Sequence, residues 1–153
     1  MKIILASKSG VRKKILDKYN VESEVFASNI DEEQFKDSLL AENATPLEIS
    51  KNLAELKSVS VSNKNPDRLV LGADSVISLD DKLINKPKSR DEALTILKRL
   101  NNSKHYLISS VCISKNGSMI WNYTDQSELK MKKLTNEQLE QYLDEEEREG
   151  AIR

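Results

Sequence analysis

The sequence predicts an α/β protein in which a mixed, twisted sheet lies between helices. Three observations carry this prediction: short apolar runs typical of buried strands, segments with helical apolar spacing between them, and capping motifs at helix starts. These segments follow one another in the order β-α-β-α-β-β-α-β-β-α. The chain has 153 residues and contains neither a repeat nor a linker, so a single domain over residues 1–153 is expected.

Strand and helix signals alternate through the first half of the chain. Thr45, Pro46 and Glu48 combine a capping box with a proline at the first helical position, which marks a helix start. The buried stripe of this helix is predicted at Ile49, Leu53 and Leu56. The predicted elements are strands at Ile3–Ala6, Ser23–Ser28 and Arg68–Ala73, helices at Val11–Tyr19 and Thr45–Ser62, and a loop with a short helix across residues 29–45.

The second half begins where the Arg68–Ala73 strand ends, at Asp74. A turn is predicted at Asp80-Asp81, and Asn116-Gly117 is a hairpin turn signal. Ser89-Arg90-Asp91-Glu92 has the form of a second capping box. The predicted elements are extended segments at Val76–Leu79 and Leu83–Ile84, a helix from Ser89 to Asn101, strands at His105–Ser114 and Met119–Lys133, and a last helix from Thr135.

Composition excludes several classes of function. Lysine and arginine total 24 against 25 acidic residues, and the net charge of −1 gives no general attraction to a nucleic acid polymer. One cysteine, Cys112, excludes an internal disulfide and a cysteine-cluster zinc site, and one histidine, His105, excludes a histidine-pair metal site. No apolar run approaches the roughly 18 residues of a membrane span, so no membrane association is expected. With no export signal, a cytoplasmic protein is expected.

The loop after the first strand is a candidate anion site. Ser7, Ser9 and Gly10 separate the strand from a helix start, where free backbone N–H groups and the positive end of the helix dipole favour phosphate. The alternative is a capped helix with a solvated basic face, which this segment alone leaves open. Six basic residues lie among the first 18: Lys2, Lys8, Arg12, Lys13, Lys14 and Lys18.

Carboxylates and lysines elsewhere are further candidates. Asp74, at the carboxyl end of a strand, could hold a divalent metal or take a proton from water, or it could simply close a turn. Asp31-Glu32-Glu33 could hold Mg²⁺ through water or be solvated. Lys57 borders the buried face of its helix, where a lysine usually extends its amine to solvent. Lys86, held before Pro87, could equally be a surface lysine.

Taken in order, these segments resemble one known family. The resemblance covers residues 2–144 and is to the Maf family of septum-formation-inhibitor-like proteins. The matching segments are Leu5-Ala6-Ser7-x-Ser9 with Arg12 after it, Asp31-Glu32, Leu53-Ala54-x-x-Lys57, Leu71-Gly72-Ala73-Asp74-Ser75-Val76, Lys86-Pro87, and Glu92-Ala93 followed by Leu97.

The resemblance implies a fold and an activity. The fold would be α/β with a central cleft, related to that of inosine triphosphate pyrophosphatases. The activity would be hydrolysis of a nucleoside triphosphate between its α and β phosphates, which releases a monophosphate and pyrophosphate and removes non-standard or excess nucleotides. The resemblance also implies a divalent cation, Mg²⁺ or Mn²⁺, and homodimers, which are common in the family.

Matching positions imply roles for individual residues. Glu32 and Asp74 would serve the metal and the attacking water, with Asp74 as the general base. Such a site needs cations as well, because a triphosphate carries about four negative charges. The residues that would contact the phosphates are Ser7, Arg12, Lys57 and Lys86.

The chain departs from the family pattern in two places. Val11 and Ser75 lie at positions that differ between members preferring dTTP or UTP and members preferring 7-methyl-GTP, and they match neither pattern, so the base is left open. Family members also run longer, so the domain is expected to be truncated at its C-terminal ending, Glu149–Arg153. A missing strand would leave an unpaired sheet edge and an exposed apolar face.

Two other functions stay open from the sequence. One is a non-catalytic nucleotide-binding or protein-interaction module of the same fold. The other is a phosphate-binding α/β enzyme outside the family, such as a phosphatase. Release of pyrophosphate distinguishes the leading hypothesis from the first alternative, and release of orthophosphate would indicate the second.

Overall fold

A computed structural model describes residues 2–148, with side chains through Glu147. The predicted α/β class, with a mixed sheet flanked by helices, is confirmed. The elements are β1 (Ile3–Leu5), α1 (Gly10–Lys18), β2 (Ser23–Val25), α2 (Glu32–Ala41), α3 (Pro46–Ser62), β3 (Val70–Leu79), β4 (Lys82–Ile84), α4 (Arg90–Leu100), β5 (Lys104–Lys115), β6 (Ser118–Lys130) and α5 (Asn136–Arg148).

The described strands form one mixed sheet in the order β2-β1-β3-β5-β6, with β4 paired to β3. β1 runs parallel to β2 and to β3, while β3 and β4 are antiparallel. β1 is short, and its pairing with β3 runs only through Ile4 with Val70 and Leu5 with Leu71. Beyond Leu71, β3 therefore continues past the carboxyl end of β1.

The described chain divides into two compact units. The first contains the residues up to Ser75 together with residues 108–125, and the second contains residues 76–107 together with those from Gln126 onward. β3, β5 and β6 are long, and each contributes residues to both units.

The core of the first unit lies between α3 and the sheet. The helix begins as predicted, because Thr45 and Glu48 form both hydrogen bonds of the capping box. It then packs closely on β3 at Gly72, where a Cβ atom would collide with the carbonyl oxygen of Ala54 and lie 2.8 Å from the Ser58 backbone nitrogen. One buried apolar cluster of this unit consists of Ile4, Ala6, Val61 and Val70.

The second unit is built from a short hairpin and two helices. The turn at Asp80 and Asp81 joins β3 to β4, with both residues at positive φ, which aspartate tolerates. Leu79, Ile84 and Leu100 form its apolar cluster. α4 packs against α5, whose Leu139 and Leu143 are buried.

Most boundaries lie within two residues of the prediction, and three differences are larger. β2 ends at Val25 rather than Ser28, and β6 ends at Lys130 rather than Lys133. The two predicted pieces of β3 are one continuous strand, so Asp74 lies inside the strand and not at its end. The sequence around Asp74 contains small residues in place of an apolar run, and only pairing with neighbouring strands keeps the backbone extended there.

Two local predictions are also corrected. The helical spacing of Val11, Ile15 and Tyr19 predicted a buried face for α1, but all three are exposed, with Tyr19 at the C-cap. At the start of α4, the Ser89 side chain accepts from the Glu92 backbone as expected, but the Glu92 carboxylate bonds to the backbone N–H of Lys88. Only the serine half of that capping box therefore forms.

No helix within residues 2–148 is long and apolar enough to cross a membrane.

β6 is the last strand in the sheet order and exposes Ile120, Trp121 and Tyr123. The chain ending Glu149–Arg153, where truncation was expected, lies outside the described residues.

Candidate active site

The loop between β1 and α1 is folded around the hydroxyl group of Ser7. Its Oγ accepts from the backbone N–H of Ser9 at 3.1 Å and from Nη1 of Arg12 at 2.9 Å. Ser9 in turn caps α1 by accepting from the backbone N–H of Arg12 at 3.3 Å. The guanidinium of Arg12 is thereby turned back over the start of its own helix, which places a cation at the positive end of the helix dipole.

A buried ion-pair cluster lies in the same unit. The ammonium of Lys57 lies 2.6 Å from Oε1 of Glu32, 3.3 Å from Oδ1 of Asp74 and 3.2 Å from the carbonyl oxygen of Ala73. Three acceptors thus surround a group with three protons to donate. Lys57 is only 6% exposed, so its amine does not reach out to solvent as the sequence suggested.

Asp74 is the most deeply buried carboxylate of the cluster. Burial raises the pKa of its carboxyl, and the nearby Lys57 opposes this shift by favouring the charged form. Glu32 raises the pKa further through repulsion, and Arg12 lowers it through attraction. Arg12 and Lys57 both lower the pKa of Asp74, so the Ser7–Arg12 loop and the Lys57 cluster belong to one electrostatic site.

One oxygen of this site is left without a partner. Oδ2 of Asp74 is buried and accepts no hydrogen bond from any described residue. A buried, unpaired carboxylate oxygen is costly for the folded protein and is a frequent sign of a functional group. The arrangement can accept a proton from a water molecule or bind a cation at Oδ2.

The structure brings together five of the candidate residues and leaves three in other settings. Lys86 is exposed between β4 and α4, in the second unit. Val11 is 68% exposed on α1, two residues past its capping serine. Ser75 is exposed beside Asp74 on β3 and shares a hydrogen bond of 3.0 Å with Ser109. The five that hydrogen bonds, ion pairs and charge interactions connect are Ser7, Arg12, Glu32, Lys57 and Asp74.

The buried face of α3 differs from the prediction at one edge, since Ile49 and Leu53 are buried as expected. The apolar pattern placed Leu56 inside and Lys57 at the border, but Leu56 is half-buried and Lys57 is buried. The inner face of α3 also contains the small polar residue Ser50, which bonds to the backbone of Asp74. Serines at the buried helical spacing were the available signal, and a purely apolar pattern overlooks them.

The two carboxylates can accommodate a divalent cation. No group of three or more metal-ligating side chains occurs among residues 2–148, so these residues do not enclose a metal by themselves. Mg²⁺ is commonly held by one or two carboxylates, with water and substrate phosphates completing its coordination. The unpartnered Oδ2 of Asp74 and the half-exposed Glu32 provide such a pair.

Comparison with known proteins places the chain in a family. The profile described as Maf-like protein matches residues 2–152. A nucleoside triphosphate pyrophosphatase from Pelagibacter ubique is 61% identical over 92% of this chain and 72% of its own length. One from Ruegeria pomeroyi is 37% identical over 92% and 71%. A 7-methyl-GTP pyrophosphatase from Brucella abortus is 32% identical over 88% and 67%.

Solved structures show the same fold at low sequence identity. A HAM1 protein from Coxiella burnetii aligns over 84% of this chain and 70% of its own, with a TM-score of 0.56 and 13% identity. A nucleoside-triphosphatase, or dITP/XTP pyrophosphatase, from Mycobacterium abscessus aligns over 84% and 72%, with a TM-score of 0.54 and 12% identity. The profile match over residues 2–152 and the relatives at 61% and 37% identity show that the chain belongs to the Maf family.

Proposed function

We propose that this protein is a nucleoside triphosphate pyrophosphatase, a hydrolase that converts a nucleoside triphosphate to a monophosphate and pyrophosphate. The observation that carries the proposal is the unpartnered, buried Oδ2 of Asp74 beside Lys57, in the same electrostatic site as the Ser7–Arg12 loop. The names of the Pelagibacter and Ruegeria relatives support the same activity. The physiological role would be removal of non-standard or excess nucleotides.

The cationic side of the site is suited to the phosphates. Arg12 lies over the start of α1 and can move its hydrogen bond from Ser7 to a phosphate oxygen. Ser7 keeps its own hydroxyl proton available, because both of its observed bonds are accepted. Lys57 and Lys86 are the further phosphate contacts of the proposal, and Lys57 would exchange one of its carboxylate contacts for a phosphate oxygen.

Asp74 is the general base of the proposal. The oxygen of a water molecule bonds to the α-phosphorus while the bond from that phosphorus to the α–β bridging oxygen breaks. One water proton passes to Oδ2 of Asp74, and pyrophosphate leaves with the electron pair of the broken bond. The raised pKa of Asp74 makes this carboxylate a better proton acceptor than a solvated aspartate.

A divalent cation, Mg²⁺ or Mn²⁺, completes the proposal. Glu32 and Asp74 would hold it, and it would neutralise charge that develops on the phosphates. The Lys57 ammonium keeps these two carboxylates close together before any cation binds. Chelation is expected to abolish turnover, and Mg²⁺ or Mn²⁺ to restore it.

The proposed activity is tested with a panel of nucleoside triphosphates in the presence of Mg²⁺. Pyrophosphate release is expected, and heavy-oxygen water should label the monophosphate and not the pyrophosphate. Orthophosphate as the first product would contradict the proposal and indicate a phosphatase. The panel also identifies the base, for which Val11 and Ser75 are the proposed specificity residues.

The role of Asp74 is tested by Asp74→Asn. Turnover is expected to fall by about 10²–10⁴-fold, the usual contribution of a general base, while nucleotide binding persists. Asp81→Asn is the matched control, because Asp81 lies in an exposed turn whose positive φ asparagine tolerates. Equal turnover in Asp74→Asn and the wild type would rule out Asp74 as the base.

The compartment and assembly are part of the same proposal. A cytoplasmic enzyme is supported by Cys112, which is a free, buried thiol. A homodimer is supported by the exposed apolar residues of β6, an edge strand of the described sheet. Light scattering on the purified protein decides the assembly, and a monomeric mass at micromolar concentration would contradict it.

A further inference from the structure

We propose that Ser50 is a positioning residue that holds the backbone of Asp74 and so directs its carboxylate, an inference that rests on the proposed role of Asp74. Ser50 lies on α3 and is 0% exposed. Its Oγ lies 3.1 Å from the carbonyl oxygen of Asp74 and 2.9 Å from the Oγ of Ser110 on β5. Ser110 is in turn 3.0 Å from Oγ1 of Thr124 on β6.

The hydroxyl of Ser50 has two acceptors within hydrogen-bond distance. It donates toward the carbonyl oxygen of Asp74 and toward the Oγ of Ser110, so its single proton is shared between them. A carbonyl oxygen can only accept, so the contact with Asp74 depends on this proton. Ser110 in turn shares a hydrogen bond with Thr124, in which either oxygen can be the donor. The Ser50 hydroxyl thus links α3 to the backbone of Asp74 and to Ser110 on β5.

The local topology explains why β3 needs this support. β1 ends at Leu5, which is paired with Leu71, so β3 has lost this neighbouring strand by the time it reaches Asp74. Side chains of α3 bond to two consecutive carbonyl groups there. Lys57 donates to the carbonyl of Ala73 and Ser50 donates to that of Asp74. The general base is thereby fixed to α3 on its backbone as well as at its carboxylate.

Ser58 provides a matched comparison on the same helix. It is also 0% exposed, and its Oγ lies 2.7 Å from that of Ser114 on β5. Its other hydrogen bond, however, goes to the carbonyl of Glu55 within α3. Ser50 and Ser58 thus have the same burial and the same kind of partner on β5, and only Ser50 bonds to Asp74.

The inference is tested by Ser50→Ala and Ser58→Ala. Each removes one buried hydroxyl, so both should lower the melting temperature to a similar degree. We expect Ser50→Ala to lower kcat by about 10-fold with KM unchanged within about two-fold, because small misplacements of a catalytic group are costly. Ser58→Ala should keep both constants within about two-fold.

A spectroscopic measurement separates this inference from the proposed function. The carbonyl-carbon chemical shift of Asp74 reports on the hydrogen bond from Ser50, whatever the protein hydrolyses. It should change in Ser50→Ala and stay fixed in Ser58→Ala. An unchanged Asp74 shift in Ser50→Ala would overturn the inference, as would a changed shift with unchanged kcat. Absence of pyrophosphate release by the wild type would instead overturn the proposed function, and the chemical shift would still decide whether Ser50 holds Asp74.

Should Ser50→Ala prove too unstable to assay, Ser50→Cys takes its place. Cysteine has a similar shape and is a weaker hydrogen-bond donor than serine. We therefore expect kcat to fall with KM unchanged, as in Ser50→Ala, but by a smaller factor. Equal kcat values for Ser50→Cys and the wild type, with an unshifted Asp74 carbonyl, would then overturn the inference.

Discussion

Two clusters in this molecule place one cation among several carboxylates, and they differ in burial. Lys57 lies between Glu32 and Asp74, with Lys57 and Asp74 only 8% and 13% exposed at their side chains. Arg90 is 29% exposed at the start of α4. The side chains on α5 that pair with Arg90, at 2.9, 2.8 and 3.2 Å, are Glu140, Asp144 and Glu147, and they are 41–63% exposed.

Burial determines what each cluster can do. Around Lys57, removal of water raises the pKa of Asp74 and leaves one of its oxygens unpaired. Around Arg90, the carboxylates raise the pKa of the guanidinium, which is charged in any case, so the cluster only attaches α5 to α4. Similar charges thus form the proposed reactive centre in a buried place and a helix contact at the surface.

The largest effect should come from removing the buried cation. Lys57→Met leaves Glu32 and Asp74 facing each other without a positive charge, so the pKa of Asp74 should rise further and phosphate binding should weaken. We expect kcat/KM to fall by about 10²–10³-fold. Lys51→Met, at an exposed position of the same helix, is the control and should stay within about two-fold of the wild type. A comparable loss in Lys51→Met would show that burial is not the cause.

The second effect tests the close packing that buries the cluster. Gly72→Ala places a methyl group against the carbonyl of Ala54 and should push α3 away from β3. A loss of about 1–3 kcal/mol in the free energy of unfolding is expected from such overpacking. Gly10→Ala is the control, because no atom lies within 4 Å of the added Cβ. Denaturant unfolding of both variants measures the difference, and equal stabilities would contradict the close approach.

The third effect is a dependence of stability on pH. Because burial raises the pKa of Asp74 above 3.8, its contribution to stability is complete at low pH and is lost as the pH rises through the folded-state value. Asparagine stays neutral, so Asp74→Asn should match the wild type near about pH 4 and melt about 2–4 °C higher near about pH 8. Thermal melts across this range check the sign, and a lower melting temperature of the variant at high pH would contradict it.

The smallest effect is expected at the exposed cluster. Arg90→Met should lower the melting temperature by about 1–3 °C at low salt and by less at high salt, because exposed ion pairs are weak and screened. Its kcat/KM should stay within about two-fold of the wild type. A loss of activity as large as that of Lys57→Met would remove the distinction between the two clusters.

Local signals in the sequence were sufficient for most of the fold. The capping residues Thr45 and Glu48 fixed the start of α3, and the Asn116-Gly117 turn fixed the hairpin of β5 and β6. These are interactions between near neighbours in the chain, so they can be recognised without knowledge of the rest. The ordered set of short segments was also enough to identify the family, which the profile match confirms.

The sequence by itself therefore determined the fold class, the order of the elements and the family, because these depend on local propensities and on residue patterns along the chain. Only the tertiary structure decided that Lys57 is buried, that Asp74 lies inside β3, and that Ser50 bonds to it. The burial of Lys57 and the bond from Ser50 depend on how closely α3 approaches the sheet at Gly72, and the continuation of β3 through Asp74 depends on pairing within the sheet. No local pattern specifies either of these.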